Sequence, residues 1–455
     1  MNPIIEQVTQ DIITRSHQSR GDYLSQIQDM KNQGVARKSL SCGNLAHAFA
    51  AGSKQEKQQL AKYEKPNIAI ISAYNDMLSA HHPYLDYPAQ IKAAAMKKGI
   101  TAQFAGGVPA MCDGVTQGQA GMELSLFSRD SIAMSTAIAL SHNMFDATVC
   151  LGICDKIVPG MLIGALRFGH LPTLFIPAGP MVSGMSNSEK SRIRKAYQLG
   201  KVDRDELLRA ESESYHSQGT CTFYGTANSN QMLMEMMGLQ LPSSSFVNPG
   251  TPLRDALTEG AINILCDALN GIESMGIGEM IDEKSIVNAM IGLMATGGST
   301  NHTLHLVAIA RAAGIIINWD DFSKLSKAVP LLARVYPNGE ADVNHFHAAG
   351  GMNLIIQRLL SDGLLHEDVN TIVGPGMHRY CKEGYLLDGQ LAWHDGVSSS
   401  LDPNVIAAND QVFSAEGGIR VLTGNLGKSV IKISAVDNSH LVITAPAKVF
   451  TEQWQ

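Results

Sequence analysis

Between positions 67 and 179 the chain alternates between two textures. Short runs are apolar at nearly every position: "NIAIISA" (67–73), "ITAQFAGG" (100–107), "ATVCLGI" (147–153) and "LPTLFIPAG" (171–179). Between them lie segments of helical composition at 82–99, 125–143 and 159–169. Short apolar runs suit strands buried on both faces. Helix-length segments between such runs predict right-handed crossovers and a parallel sheet flanked by helices. Gly99 is placed as a helix C-cap, Pro159 in the first turn of the third helix and Gly169 at its end. Residues 1–60 read as polar helices and 187–370 as mostly helical. From about 384 the texture shifts to short β-type runs, "GIRVLTGNL", "SVIKISAV" and "HLVITAPAKVF". The expected architecture is α/β. An N-terminal domain, 1–383, holds the parallel sheet and a helical N-terminal segment. A partial, β-rich and barrel-like C-terminal domain, 384–455, follows, with no closing element after its last strand-like run.

In a parallel sheet, ligands bind beyond the carboxyl ends of the strands. After the first run come Asn75 and Asp76. After the second come Cys112 and Asp113, in "MCDGVTQG". After the third come Cys154, Asp155 and Lys156, in "TVCLGICDKIVPGMLIGALR". A lone cysteine on an apolar strand is ordinarily core. Two ionisable neighbours buried with it cost on the order of several kcal/mol unless paired or metal-bound, which favours catalytic or metal use. Cys221 lies in "GTCTFYGTANSNQMLMEMMGL", just ahead of a helix whose start favours a thiolate. The methionines of that helix read as core. No C-x-x-C occurs, which excludes a local ferredoxin or zinc motif, so a cluster has to be assembled from distant segments. Cys42, Cys266 and Cys381 read as structural. Cys150, four residues before Cys154, shares its strand face and points deep into the core. "GNLGKS" lacks the spacing of a phosphate loop and reads as a turn between strands. In "GGSTNHTLHLVAIARAAG", Ser299, Thr300, Asn301 and His302 open a helix behind Gly297 and Gly298. Free backbone N–H groups there offer an anion site, and an ordinary N-capped helix explains the pattern equally well.

Composition narrows the class. The 455 residues carry a net charge of −7, so no basic excess is available for nucleic acid. The N-terminal stretch has no long apolar core, which argues against a signal peptide or membrane span. Seven cysteines, an odd number, do not form a disulfide framework and point to a reducing cytoplasm.

Taken together, "SRDSIAMS", "CDKIVPGML", "GTCTFYGTANSNQM" and "GGSTNHTLHLVAIA" resemble the dihydroxy-acid and phosphogluconate dehydratase family, in order, from about residue 60 to the end. "SAYNDMLSAHHPYLDYP" and "VPAMCDGVTQGQAGMELSLFSRD" are similar to its 6-phosphogluconate branch. That branch converts 6-phosphogluconate to 2-dehydro-3-deoxy-6-phosphogluconate in the Entner–Doudoroff pathway. The resemblance implies an iron–sulfur cluster with Cys154 and Cys221 as ligands. Two-iron members carry a further cysteine where this chain has Ala80, which implies the 4Fe-4S type here and leaves the third ligand unassigned; Cys112, on the same sheet edge, is the candidate. In the two-iron relatives Asp113, Asp155 and a carbamylated Lys156 match Mg2+ ligands. Asp155 and Lys156 are the candidate catalytic pair, and Ser299, Thr300, Asn301 and His302 the candidate substrate contacts. The resemblance also places a proton-abstracting serine and a metal-binding glutamate beyond position 455, and implies a homodimer. Two rival readings are a sister dehydratase for unphosphorylated sugar acids or branched-chain dihydroxy acids, and a noncatalytic α/β binding domain with the thiols in its core.

Overall fold

The computed structural model describes residues 1–271 and 274–451. At its centre are four strands, β1 (Asn67–Ser72), β2 (Thr101–Gly107), β3 (Ala147–Leu151) and β4 (Thr173–Phe175). They lie in the order β2-β1-β3-β4 and every pair is parallel. The residues of β1 and β3 are buried throughout, as their unbroken apolar runs require. β4 is shorter than its apolar run because Pro172 and Pro177 bracket it and cannot donate to the ladder.

Helix α1 (Pro3–Asn32) is polar along most of its length but buries Ile5, Val8, Ile12 and Ile27. Its Arg20 guanidinium donates to the carbonyls of Ala313, Gly278 and Ile281 at 2.7–2.9 Å, bracing the helical layer. α2 (Tyr87–Lys97) ends before Gly99, which adopts φ +72° as a C-cap glycine does. α3 (Ser125–Leu140) and α4 (Ile157–Leu166) pack closely against each other. A Cβ on Gly160 would lie 2.8 Å from the Arg129 carbonyl, and one on Gly164 2.6 Å from that of Ala133. These glycines let the two backbones touch and hold Arg129 beside the loop that follows β3. Gly169 differs from expectation. α4 stops at Leu166, and a Cβ on Gly169 would meet Tyr23 Oη of α1 at 2.2 Å, so the glycine permits a contact rather than a cap.

A second layer contains α5 (Thr226–Met236), α6 (Pro252–Asn270), α7 (Glu283–Thr296), α8 (His302–Ala312) and α9 (Trp319–Ala328). α5 packs on α7 with Met232, Met234 and Met236 fully buried, so the methionine-rich helix is core. The C-terminal part forms two antiparallel hairpins. β5 (Lys382–Leu387) pairs with β6 (Gln390–Asp395) over α6, and β7 (Arg420–Gly424) pairs with β8 (Gly427–Ile431) against α9. "GNLGKS" supplies the β7–β8 turn. Among the described residues the hairpins do not close into a barrel. "HLVITAPAKVF" forms no strand; Val442, Ile443 and Val449 are exposed, and an apolar run without a neighbouring strand has no ladder to join.

Candidate active site

Three loops on the carboxyl side of the sheet domain bring thiols together. β3 ends at Leu151, and the chain then turns sharply. A Cβ on Gly152 would sit 2.6 Å from Met161 Sδ, and Cys154 adopts φ +80°, a left-handed conformation that non-glycine residues rarely take. The turn separates the two cysteines that the sequence placed on one strand face. Cys150 stays in the core, where burial pushes its thiol up; Cys154 lies past the strand end. The Cys154 and Cys112 thiols lie close enough to act on each other. Cys154, with the backbone N–H of Gly114, brings the Cys112 thiol down to about 6 despite its burial. The nearby Cys112 and burial push Cys154 up. Burial and the nearby Cys112 raise Cys221 to about 11.

Helix α5 ties two of these loops together. Asn228 Nδ2 donates to the carbonyls of Cys221 and Phe223 at 2.7 and 2.8 Å. Two residues on, Asn230 Nδ2 donates to those of Cys154 and Asp155 at 3.0 and 2.9 Å. Among the described residues no three His, Cys, Asp or Glu side chains are tight enough to ligate one ion. A polynuclear cluster places each thiolate on a different iron, so it does not need that convergence. Soft sulfur donors from three loops, one already favouring thiolate, fit such a cluster. Of the remaining cysteines, Cys266 is buried and Cys381 partly so, whereas Cys42 is exposed at the start of the helix Cys42–Phe49.

Beside the thiols sits a buried charge network. Lys156 Nζ donates to Asp113 Oδ2 at 2.7 Å and to Asp155 Oδ2 at 2.6 Å. Ser125 Oγ donates to Asp113 Oδ1 at 2.6 Å. Asp155 also meets His305 Nε2 at 3.1 Å and Asn301 Nδ2 at 3.1 Å. Burial opposes ionisation of Asp155, but the bond from His305 and the Lys156 charge outweigh it and hold the carboxyl well below its usual range. Burial likewise opposes the Lys156 charge, and the two carboxylates overcome it, so its pKa is raised. Arg129 Nη1 lies 3.2 Å from His305 Nδ1. Arginine only donates, so Nδ1 is the acceptor and Nε2 donates to Asp155. The Lys156 ammonium already neutralises the position between the carboxylates. Asp113, Asp155 and Lys156, the possible Mg2+ ligands, form an ion-paired triad.

The candidate substrate contacts divide. Asn301 reaches Asp155, and its Nδ2 also donates to Thr226 Oγ1 at 3.1 Å; Ser299 Oγ bonds Thr226 Oγ1 at 2.7 Å. Thr300 lines a groove of about 250 Å³ between the start of α8 and the β7–β8 hairpin. His302 is fully buried with Nε2 on Ser229 Oγ at 2.8 Å, so it supports α5. The sequence reading missed His305, Arg129, Thr226 and Asn230. For His305 a signal existed: it stands four residues after Asn301, on the same helical face.

The chain matches the N-terminal model of dihydroxy-acid/6-phosphogluconate dehydratases over residues 65–380 and the corresponding C-terminal model over 404–455. It is 59% identical to a phosphogluconate dehydratase of Escherichia coli (strain K12) over 454 residues, 100% of this chain and 75% of that protein. To one from Pseudomonas aeruginosa it is 57% identical over 455 residues, again 100% and 75%. A dihydroxy-acid dehydratase of Aquifex aeolicus is 31% identical over 400 residues, 86% of this chain and 69% of that protein. On these matches, the chain belongs to the dihydroxy-acid/6-phosphogluconate dehydratase family.

Proposed function

We propose that this chain dehydrates 6-phospho-D-gluconate to 2-dehydro-3-deoxy-6-phospho-D-gluconate, the Entner–Doudoroff reaction, with a 4Fe-4S cluster held by Cys112, Cys154 and Cys221. The observation that carries the reading is the Lys156 ammonium clamped between two carboxylates beside the three thiols. Dehydratases of this family are iron–sulfur enzymes, and such a cluster supplies a Lewis acid for the departing C3 hydroxyl.

The chain's own residues account for the charge at the other carbon. As the C2 proton passes to a base, which the resemblance places beyond position 455, negative charge builds on the C1 carboxylate. That electron pair then forms the C2=C3 bond as hydroxide leaves C3, and the resulting enol becomes the keto acid. An ammonium has three donors, and Asp113 and Asp155 take two of those of Lys156. The third is left for a carboxylate oxygen, where a fixed cation in a partly dry site stabilises developing charge. His305 and Asn301 keep Asp155 ionised and aimed at Lys156. Arg129 fixes the His305 tautomer in turn.

No helix among the described residues is long and apolar enough to cross a membrane, and we place the enzyme in the cytoplasm with its phosphorylated substrate. We assign it as a homodimer. The outer face of α3 exposes Phe127, Met134 and Ile138, next to exposed Phe104 on edge strand β2. Such a contiguous apolar face is characteristic of an interface. Light scattering is expected to give twice the chain mass, and a monomer for Phe127→Glu/Met134→Glu; a monomeric unsubstituted chain contradicts the assignment. The reaction itself is tested by steady-state assay of anaerobically purified full-length protein, which includes the segment beyond position 455 where the resemblance places the proton-abstracting serine. Turnover of 6-phosphogluconate is expected at least about 100-fold above that of gluconate or a branched dihydroxy acid, a gap of roughly 2.7 kcal/mol. Preference for either of the others rejects the proposed substrate.

A further inference from the structure

Lys432 is a second cation near this site, and the chemistry above does not use it. It follows β8 and turns inward from the C-terminal hairpin. Its Nζ makes one long bond, 3.4 Å to the Tyr224 carbonyl, and has no carboxylate partner among the described residues. Burial alone acts on the amine and brings it down to about 8. Lys432 is half-buried, and an ammonium held there without a counter-ion is a cost to the fold unless an anion arrives.

Tyr224 leads into Gly225, the N-cap of α5, and neither Gly225 nor Asn301, the N-cap of α8, supplies a capping side chain. His302, the first residue of α8, lies within reach of the Lys432 charge. The start of α5 therefore brings its positive end towards this amine, whereas the first N–H groups of α8 bond to the carbonyls of Ser299, Thr300 and Asn301. The hydroxyl pair Thr226–Ser299 joins those helix starts, and Asn301 links Thr226 to Asp155. Two separated cations thus flank a bridge of small polar side chains. Lys156 is neutralised by its carboxylates; Lys432 is not.

We propose that Lys432, with the hydroxyls of Thr226 and Ser299, receives the phosphate of the substrate and so sets the preference for a phosphorylated sugar acid. The inference rests on the dehydratase reading above. A molecule that carries a carboxylate at one end and a phosphate at the other needs two anchoring points, and the dianionic end belongs at the unpaired cation.

The test is calorimetric titration of the anaerobically purified chain and its Lys432→Met and Lys432→Arg variants. The ligands are 6-phosphogluconate, glucose 6-phosphate (phosphate without carboxylate) and gluconate (carboxylate without phosphate). Lys432→Met is expected to weaken both phosphate ligands by roughly 10- to 100-fold, the loss of one charged hydrogen bond. Gluconate binding should stay unchanged, and Lys432→Arg should recover part of the loss. The melting temperature of Lys432→Met should be unchanged or higher, since a structural lysine would lower it. Unchanged binding of both phosphate ligands overturns the proposal. So does an equal weakening of gluconate, or a lower melting temperature with all three ligands affected. Failure of the unsubstituted chain to bind 6-phosphogluconate would instead reject the dehydratase reading on which the proposal stands.

Discussion

Lys156→Met is expected to lower kcat by roughly 10²- to 10³-fold, the effect of deleting one preorganised charge at a reacting centre. It should also destabilise the fold. Asp113 and Asp155 both contact the same ammonium, so its removal leaves two like charges facing each other in a site where Asp155 is buried. Breaking a buried pair in this way costs about 3–5 kcal/mol. The two effects separate in a triple variant. Lys156→Met with Asp113→Asn and Asp155→Asn removes the repulsion and should regain most of the stability, yet stay inactive. If the triple variant is as unstable as the single one, the carboxylates are not the source of the loss. A Lys156→Met protein with near-normal kcat removes the lysine from the chemistry.

Substitutions at Cys154 should divorce stability from activity. Its φ of +80° is costly for any residue with a Cβ and nearly free for glycine. Relief of a left-handed non-glycine residue amounts to about 1–3 kcal/mol. Cys154→Gly is therefore expected to melt at the same temperature as the cluster-free parent or higher, while turnover falls below detection. Cys154→Ser should be equally inactive without the gain. Cys150→Ser is the contrasting case. It places a hydroxyl in the β3 core, should lower stability, and should leave iron content unchanged once folded. Turnover retained in Cys154→Gly, or lost iron in folded Cys150→Ser, would reverse the assignment of the two cysteines.

Much of this was readable from the chain because it depends on local pattern. Unbroken apolar runs specify strands buried on both faces, and the loops after such strands had to gather at one sheet edge. That logic alone put Cys112, Asp113, Cys154, Asp155 and Lys156 side by side. Other features depend on tertiary placement. Arg129 reaches His305 only because Gly160 and Gly164 let α4 press against α3. Asn228 and Asn230 each hold a different cysteine loop, a role invisible until α5 is set between them. His302 and His305 look alike in sequence, but their angular positions on α8 send one into the core and the other to Asp155. "HLVITAPAKVF" has strand composition, yet no partner strand lies beside it among the described residues. Lys432 stands about 280 positions from Asp155 in the chain, and no spacing rule connects them.

The convergence of sulfurs from Cys112, Cys154 and Cys221 is tested most directly by iron and acid-labile sulfide analysis of the anaerobically purified chain beside its three single Cys→Ser variants. The account predicts brown protein with about four irons and four sulfides per chain, and loss of most of that iron in each variant while the fold is kept. Colourless, metal-free protein from a reconstitution that loads other clusters, or iron that survives all three substitutions, would contradict it.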